Sequence, residues 1–311
     1  MTVYHGVAAT RPLYDLAEGI LWDDRDKLVR WVDIWQGRVL AGKLHGSRLV
    51  TTEDISLGQT AGAVALAEDG GLLIAASCGL ATISPTGAIS FGPDLLGDRP
   101  TARLNDGTPD MFGAFVVGSL TIGGSIDGGA SGGTGDETLL RIQPNGAVEV
   151  IREGIQLSNG VAFSPDGGTI YHVDTFARTV SSHPYGFGAF NFEEPWVPLP
   201  LDLPDYPDGL AVDSEGALWV AQWGGSSVRR HAPTGELLDV VTVDAEQVSC
   251  PGFVGPDLDR LAITSAQEGL ESFTDLAGSI FIADVSVTGL PTHRWAGSTT
   301  TPYWLAPKSG G

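Results

Sequence analysis

The chain has 311 residues, and its 38 acidic and 17 basic side chains give a formal net charge of −21 at pH 7. A surface this acidic repels phosphate backbones and anionic membranes, so nucleic acid and membranes are not expected partners. The 43 glycines and 19 prolines lie between short apolar runs. This composition predicts many turns and short strands, and hence an all-β chain folded as one domain over residues 1–311.

The N-terminal sequence MTVYHGVAAT has neither the basic segment nor the apolar core of a secretory signal. No apolar run approaches the roughly 18 residues of a membrane span. The two cysteines, Cys78 and Cys250, form no CxxC-type motif and are typical of buried thiols in a reducing compartment. We therefore expect a cytoplasmic protein that is monomeric or a weak homo-oligomer.

A strand-like pattern recurs along the chain as a turn marked by Gly or Asp, followed by an alternating apolar run. The repeats begin at Asp26, Gly70, Phe112, Gly168, Gly216 and Asp259. Units of about 40–50 residues are typical of the blades of a β-propeller, in which each blade is a four-stranded sheet. The pattern predicts a six-bladed β-propeller, with four-stranded antiparallel blades around a central channel.

Two other segments have predicted structural roles. The stretch VYHGVAA near the start is strand-like and could supply the outer strand of the last blade, which would close the ring. The Gly- and Ser-rich stretch from Thr121 to Asp136 interrupts the longest repeat and is predicted to be a flexible loop. Since no segment has a sustained apolar period of 3.6 residues, very little helix is expected.

The first strand of each predicted blade has a residue that directly precedes a glycine. These residues are Glu18, Ala61, Asp106, Asn159, Asp208 and Pro251. Because the innermost strands of a propeller run along the channel, equivalent residues should lie on one ring at its mouth. Asn-Gly and Asp-Gly pairs often form hairpin turns, but the proline-rich segment before Asp208 is a poor paired strand. We therefore predict that Asn159 and Asp208 open strands.

Glu18, Asn159 and Asp208 offer two carboxylates and one amide oxygen. An all-oxygen set of this kind suits a hard divalent cation such as Ca²⁺, Mg²⁺ or Mn²⁺. Three protein ligands would leave coordination positions for water and substrate. The alternative is that these side chains cap the strand ends through hydrogen bonds to the backbone. The spacing of the three residues leaves both interpretations open.

Several motifs occur in one order between about Asp15 and Gly297. They are AEGILWD, RLNDGTPDMFGAFVVGSL, LSNGVAFSPDGGTIYHVDT, PDGLAVDSEGALWVAQWGGSSVRR and AGSIFIADVSVTGLPTHRWAG. Together they resemble the SMP-30/gluconolactonase/luciferin-regenerating-enzyme family. The resemblance implies a six-bladed β-propeller and, for several family members, hydrolysis of a small-molecule sugar lactone at one divalent metal.

The resemblance also implies roles for five residues. Glu18, Asn159 and Asp208 would be the protein ligands of the metal, with Ca²⁺ the first choice and Zn²⁺, Mg²⁺ or Mn²⁺ as alternatives. Arg103 and Asn105, the Arg and Asn of the RxND motif, would contact substrate hydroxyls. Asp208 would in addition act as the general base.

The chain departs from the family pattern in one wall of the expected pocket. Family members similar to the animal gluconolactonases carry a substrate-contacting Glu soon after the strand that corresponds to VVGSL, and no Glu stands at the matching place here. The same metal site could therefore serve another hydrolytic or biosynthetic activity, such as a phosphotriesterase-like reaction or hydrolysis of a natural-product ester. A non-catalytic calcium-binding propeller is a third interpretation.

Two further side chains have alternative predicted positions. His172, in YHVDT, is expected either as a hydrogen-bonded core histidine or facing the channel. Trp223, in AQWGG, is expected either in the pocket wall or packed between blades. For each side chain, one of the two positions would give it a structural role and the other a role in the site.

Overall fold

The computed structural model describes residues 1–99, 101–122, 133–186, 190–270 and 276–305. Within these residues every element of regular secondary structure is a β-strand. Part of the predicted Gly- and Ser-rich loop, residues 123–132, lies outside the described residues. No helix in the described part of the chain is long and apolar enough to cross a membrane. Two short strands, β1 (Thr2–His5) and β2 (Val7–Ala8), precede the repeated units.

The first three units fold into one sheet each, with the strands of a sheet in chain order. Blade 1 contains β3 (Ala17–Asp23), β4 (Leu28–Asp33), β5 (Arg38–His45) and β6 (Arg48–Ser56). Blade 2 contains β7 (Ala61–Leu66), β8 (Leu72–Ala76), β9 (Gly79–Ile83) and β10 (Ile89–Asp94). Blade 3 contains β11 (Ala102–Pro109), β12 (Phe115–Thr121), β13 (Glu137–Ile142) and β14 (Val148–Ile155).

The last three units repeat this arrangement. Blade 4 contains β15 (Ser158–Phe163), β16 (Thr169–Asp174), β17 (Thr179–Pro184) and β18 (Val197–Pro198). Blade 5 contains β19 (Tyr206–Val212), β20 (Leu218–Trp223), β21 (Ser227–His231) and β22 (Leu237–Thr242). Blade 6 contains β23 (Val248–Val254), β24 (Arg260–Ser265) and β25 (Phe281–Asp284). The first strands of neighbouring blades contact one another in a closed ring, which confirms the prediction of a six-bladed β-propeller.

The N-terminal strands close this ring. β2 pairs antiparallel with β25 and supplies the outer strand of blade 6, as the sequence predicted. β1 does not join blade 6 but runs parallel to β22 as a fifth strand of blade 5. The change of partner occurs at Gly6, where a Cβ would lie 2.9 Å from Cγ1 of Val243. The N-terminal segment therefore joins two blades, because glycine lets the chain pass close to blade 5 between β1 and β2.

The core lies between the blades. Six apolar clusters fill the space between neighbouring sheets, one at each interface. Trp31, Trp219 and Trp295 are among the largest fully buried side chains. All residues of the inner strands β7 and β15 are buried, whereas the outer strand β6 is largely exposed. Burial on both faces explains why the inner strands are nearly continuous apolar runs, in which the buried polar residues are conspicuous.

Candidate functional site

The five predicted site residues line one cavity of about 310 Å³ at the end of the channel where the first strands begin. Glu18 lies in β3, Asn159 in β15 and Asp208 in β19. Arg103 and Asn105 both lie in β11. All five side chains are buried. The ring of blades therefore brings together residues that are separated by as much as 190 positions in the chain, since the cavity joins Glu18 to Asp208.

A shift in strand pairing sets the position of three of these residues. In β11, β15 and β19 the register with the second strand shifts near the strand start. Each shifted segment begins at the last residue that is paired before the shift. Its second residue is Asn105 in β11, Asn159 in β15 and Asp208 in β19. The alignment of Asp106 with the ligand positions was therefore wrong, because the glycine of blade 3 stands one residue later than in the other two blades. Asp106 instead lines a separate cavity with Cys250, farther along the first strands.

The glycines after Asn159 and Asp208 are required by the close approach of inner strands. A Cβ at Gly160 would lie 2.7 Å from the backbone oxygen of Asp208, and a Cβ at Gly209 would lie 2.7 Å from that of Ser249. Neither distance leaves room for a methyl group. The Asn-Gly and Asp-Gly pairs thus lie within strands, as the sequence predicted, and their glycines allow neighbouring blades to meet around the channel.

A hydrogen-bond chain fixes the amide of Asn159. Arg103 Nη1 donates to Asn105 Oδ1 over 2.6 Å, and Asn105 Nδ2 donates to Asn159 Oδ1 over 2.6 Å. On the other side, Asn159 Nδ2 donates to the hydroxyl of Thr175 over 2.9 Å, and that hydroxyl donates to the backbone oxygen of Pro207 over 2.7 Å. Because Thr175 has already given its one proton to Pro207, it can only accept from Asn159. Thr175 therefore holds Oδ1 of Asn159 toward Asn105.

Burial disfavours the charged form of both carboxyl groups of the site. Burial raises the pKa of Glu18 to about 8, and the negative charge of Asp106 adds to this effect. Burial also raises the pKa of Asp208 well above its usual range, with further repulsion from Glu18, Asp106 and Glu268. Two buried carboxyl groups that repel one another form a place where a bound cation would be strongly favoured.

The donor set fits a hard divalent cation. Within the described residues, no group of three or more His, Cys, Asp or Glu side chains could hold a metal. A cation here would therefore need the amide oxygen of Asn159 together with the carboxylates of Glu18 and Asp208. Carboxylate and amide oxygens are the ligands that Ca²⁺ and Mg²⁺ prefer. Asn159 Oδ1 has a second lone pair beyond the one used by Asn105.

Arg103 provides the positive charge in the cavity. Burial lowers its pKa to about 10, and the acidic groups of Glu268, Glu18 and Asp208 oppose this effect. The guanidinium therefore remains charged at neutral pH. Its Cζ lies 5.1 Å from the centroid of the Trp35 ring, in cation–π geometry. This packing fixes the direction of a side chain that can donate to a bound oxygen.

The structure decides between the alternatives for two aromatic side chains. Trp223 lines the cavity. His172 is fully buried and lies in the core, where Nε2 is 2.7 Å from the Ser158 hydroxyl and Nδ1 is 2.7 Å from Arg152 Nη1. Since Arg152 can only donate, Nδ1 of His172 is the unprotonated nitrogen. Burial and the charge of Arg152 lower the pKa of His172 well below its ordinary value.

Other residues of the cavity wall were not found from the sequence. They are Leu16, Ile34, Trp35, Leu120, Leu157, Thr175, Phe176, Tyr206, Gly224, Glu246, Gln247, Glu268 and Gly269. Most stand at strand ends and in connections, where no motif distinguishes them from ordinary turn residues. Leu120, at the end of VVGSL, contributes an apolar surface on the blade 3 side. The nearby Glu137 does not line this cavity but binds Arg99 over 2.6 Å.

Comparison with known proteins supports the assignment of the family. Pentonolactonase XacC of Haloferax volcanii is 33% identical over 294 residues, covering 90% of this chain and 94% of the relative. L-arabinolactonase of Azospirillum brasilense is 34% identical over 297 residues, covering 91% and 93% of the two chains. These relatives match nearly the full length of the propeller.

Solved structures show the same fold. A luciferin-regenerating enzyme superposes with a TM-score of 0.84 at 23% identity, covering 95% of this chain and 100% of that chain. A regucalcin from Agrobacterium tumefaciens, described as a calcium-binding protein, superposes with a TM-score of 0.81 at 26% identity, covering 95% and 99%. A family model, the SMP-30/Gluconolactonase/LRE-like region, matches residues 16–267, which include all five site residues. The chain therefore belongs to the SMP-30/gluconolactonase/LRE-like family.

Proposed function

We propose that this protein hydrolyses a sugar lactone and that it uses one divalent cation, with Ca²⁺ the first choice, held by Glu18, Asn159 and Asp208. The observation that carries the proposal is the convergence of these oxygen donors with Arg103 and Asn105 in one cavity. Three relatives, whose alignments each cover 90–91% of this chain, are named for pentonolactone, 6-deoxy-6-sulfogluconolactone and L-arabinolactone. Their shared substrate class is a cyclic ester of a sugar acid.

In this proposal Asp208 acts both as a ligand of the cation and as the general base in the opening of the ester ring. Water adds to the carbonyl carbon, the bond between that carbon and the ring oxygen breaks, and the product is a hydroxy acid. Asp208 accepts the proton of the attacking water and returns it to the ring oxygen as that oxygen leaves. A bound divalent cation supplies Lewis-acid polarisation of the carbonyl and charge stabilisation at its oxygen. Glu18, Asn159 and Asp208 would hold the cation in place.

Arg103 and Asn105 position the substrate. The Arg103 guanidinium is buried, charged and fixed against Trp35, so it can donate to hydroxyl oxygens without reorganisation. Asn105 links Arg103 to Asn159 through hydrogen bonds of 2.6 Å. A substrate hydroxyl that contacts this pair would be placed at a defined distance from the ligand amide. The pair therefore couples recognition of the sugar to the place of the reaction.

A pH-indicator assay on a panel of aldonolactones tests the proposal. Acid release that EDTA abolishes and Ca²⁺ restores is the expected result. Acid release that is unchanged in EDTA would contradict the role of the cation, and no release from any aldonolactone would contradict lactone hydrolysis.

A second function, calcium binding without catalysis, is favoured by the names of several relatives. The A. tumefaciens structure is described as a calcium-binding protein, and other curated relatives are named regucalcin. The same assay separates the two functions, because a non-catalytic propeller would bind Ca²⁺ without hydrolysing any lactone or ester. Activity confined to a phosphotriester would indicate a different reaction at the same site.

A further inference from the structure

A carboxylate from blade 6 belongs to the cavity wall but is not one of the predicted ligands. Glu268 follows β24, and its backbone N–H donates to the carbonyl oxygen of Asp15 over 3.3 Å. Its side-chain Oε2 accepts a hydrogen bond of 2.7 Å from the indole N–H of Trp35. Trp35 is fixed in turn by the guanidinium of Arg103. A carboxylate has about four acceptor positions, so Glu268 retains acceptors for a molecule in the cavity.

A second acceptor stands beside it. Gln247 lines the same cavity, its side chain is only 8% exposed, and Oε1 has no hydrogen-bond partner within the described residues. Its backbone is fixed by pairing with Trp223 and by a 3.0 Å hydrogen bond from the amide of Ala266. Buried acceptors without a partner are rare because they lose their bond to water without replacement. Oε1 is itself shielded from solvent, so a hydroxyl group of a bound molecule would satisfy it once the Gln247 amide turns toward the cavity.

The charge of the cavity lining limits what that molecule can be. The lining contains the carboxylates of Glu18, Asp208, Glu246 and Glu268. Arg103 is the one cationic side chain that lines it within the described part of the chain. Even with a divalent cation bound, the lining remains negative. An anionic substituent near Glu268 would therefore be repelled, and charges interact more strongly in a partly buried site than in water.

We propose that Glu268 and Gln247 form a sugar subsite that accepts hydrogen bonds from the hydroxyl groups of a neutral polyhydroxylated lactone and disfavours lactones with an anionic substituent. The choice of a lactone rests on the proposed function. The subsite lies on blade 6 and its junction with blade 5.

The test compares kcat/KM for galactono-1,4-lactone and for the same ring with a carboxylate in place of its terminal CH₂OH group. The wild type should favour the neutral lactone by at least about tenfold, and Glu268→Gln should reduce this preference by about tenfold because one charge is removed and the shape is kept. Gln247→Leu should raise KM for the neutral lactone with little change in kcat. Glu236→Gln, which removes an exposed acid outside the cavity, should leave kcat/KM unchanged for both lactones.

An unchanged preference in Glu268→Gln would overturn the subsite even if the protein is an active lactonase. If no lactone is hydrolysed, the proposed function fails, and calorimetric titration with the neutral polyol galactitol still tests the subsite. Wild type and Glu236→Gln should then bind galactitol, and Gln247→Leu should bind it at least about fivefold more weakly. Equal binding by all three proteins, or no binding by the wild type, would overturn the subsite.

Discussion

Thr175 and Asn105 together fix the orientation of the Asn159 amide. An Asn side chain can present either its oxygen or its nitrogen, and only the oxygen can bind a cation. The Thr175 hydroxyl, which donates to Pro207, accepts from Asn159 Nδ2 and so sets that orientation. Asn159 could be predicted from the sequence but Thr175 could not, because a Thr that follows a strand in HVDT has no motif of its own. Partners of a ligand become visible only when the blades are assembled.

Replacement of Thr175 by Val should weaken Ca²⁺ binding about 10- to 100-fold, as is typical for the loss of a group that orients a metal ligand. Val keeps the shape of Thr but removes the hydroxyl, so the Asn159 amide loses one of its two orienting hydrogen bonds and keeps only the one from Asn105. Thr175→Ser keeps the hydroxyl and should bind Ca²⁺ as the wild type does. Calorimetric titration of all three proteins provides the measurement, and equal affinities of the Val and Ser variants would contradict this role.

His172 should make the free energy of unfolding depend on pH. Its pKa is depressed in the folded state, whereas the unfolded chain takes up a proton near pH 6.5. The folded form therefore loses stability as the pH falls below about 6.5, by up to about 1.4 kcal/mol per pH unit. Above that pH the contribution is constant.

His172→Gln removes the titrating group and keeps one donor and one acceptor. The difference in free energy of unfolding between wild type and this variant should shrink as the pH falls from 7 to 5. Urea unfolding at several pH values measures it. A difference that stays constant over this range would show that His172 does not remain neutral in the fold.

At the scale of the element, the inner strands were predictable in type but not in register. The apolar runs and their turns predicted the blades, and Asn159 and Asp208 lie in strands as expected. The sequence LNDG of blade 3 contains two polar residues before its glycine, and the register shift of β11 makes Asn105 the equivalent of Asn159. A register shift depends on the packing of neighbouring strands, which a single sequence does not reveal.

Close approach of the inner strands makes Gly160 intolerant of a side chain. Gly160→Ala would place a methyl group 2.7 Å from the backbone oxygen of Asp208, so the protein should lose about 1–3 kcal/mol of stability and also some Ca²⁺ affinity. Gly186→Ala is the control, since a Cβ there has no neighbour within 4 Å among the residues that the structure describes. Urea unfolding compares the two variants, and equal midpoints would contradict the packing argument.

At the scale of the whole molecule, the period of the repeat predicted six blades, and the ring explains why distant residues share a site. Two features depended on closure of the ring and were missed. The N-terminal segment divides between blades 5 and 6 instead of serving the last blade alone. Glu268 and Gln247 reach the cavity of Glu18 only because blade 6 returns to blade 1. Closure of the ring brings distant parts of the chain into contact, and no local pattern in the sequence predicts such contacts.

The central claim is that one cation, held by Glu18, Asn159 and Asp208, is needed to hydrolyse a sugar lactone. The most direct measurement is the initial rate of hydrolysis by metal-stripped protein as Ca²⁺ is added, for the wild type and Asp208→Asn, with Asp284→Asn as an exposed control. The wild type and the control should be activated to saturation by one cation per chain. Asp208→Asn should remain about 10²–10⁴-fold slower at saturating Ca²⁺. Full activity of the metal-stripped wild type, or near-normal activity of Asp208→Asn, would contradict the account.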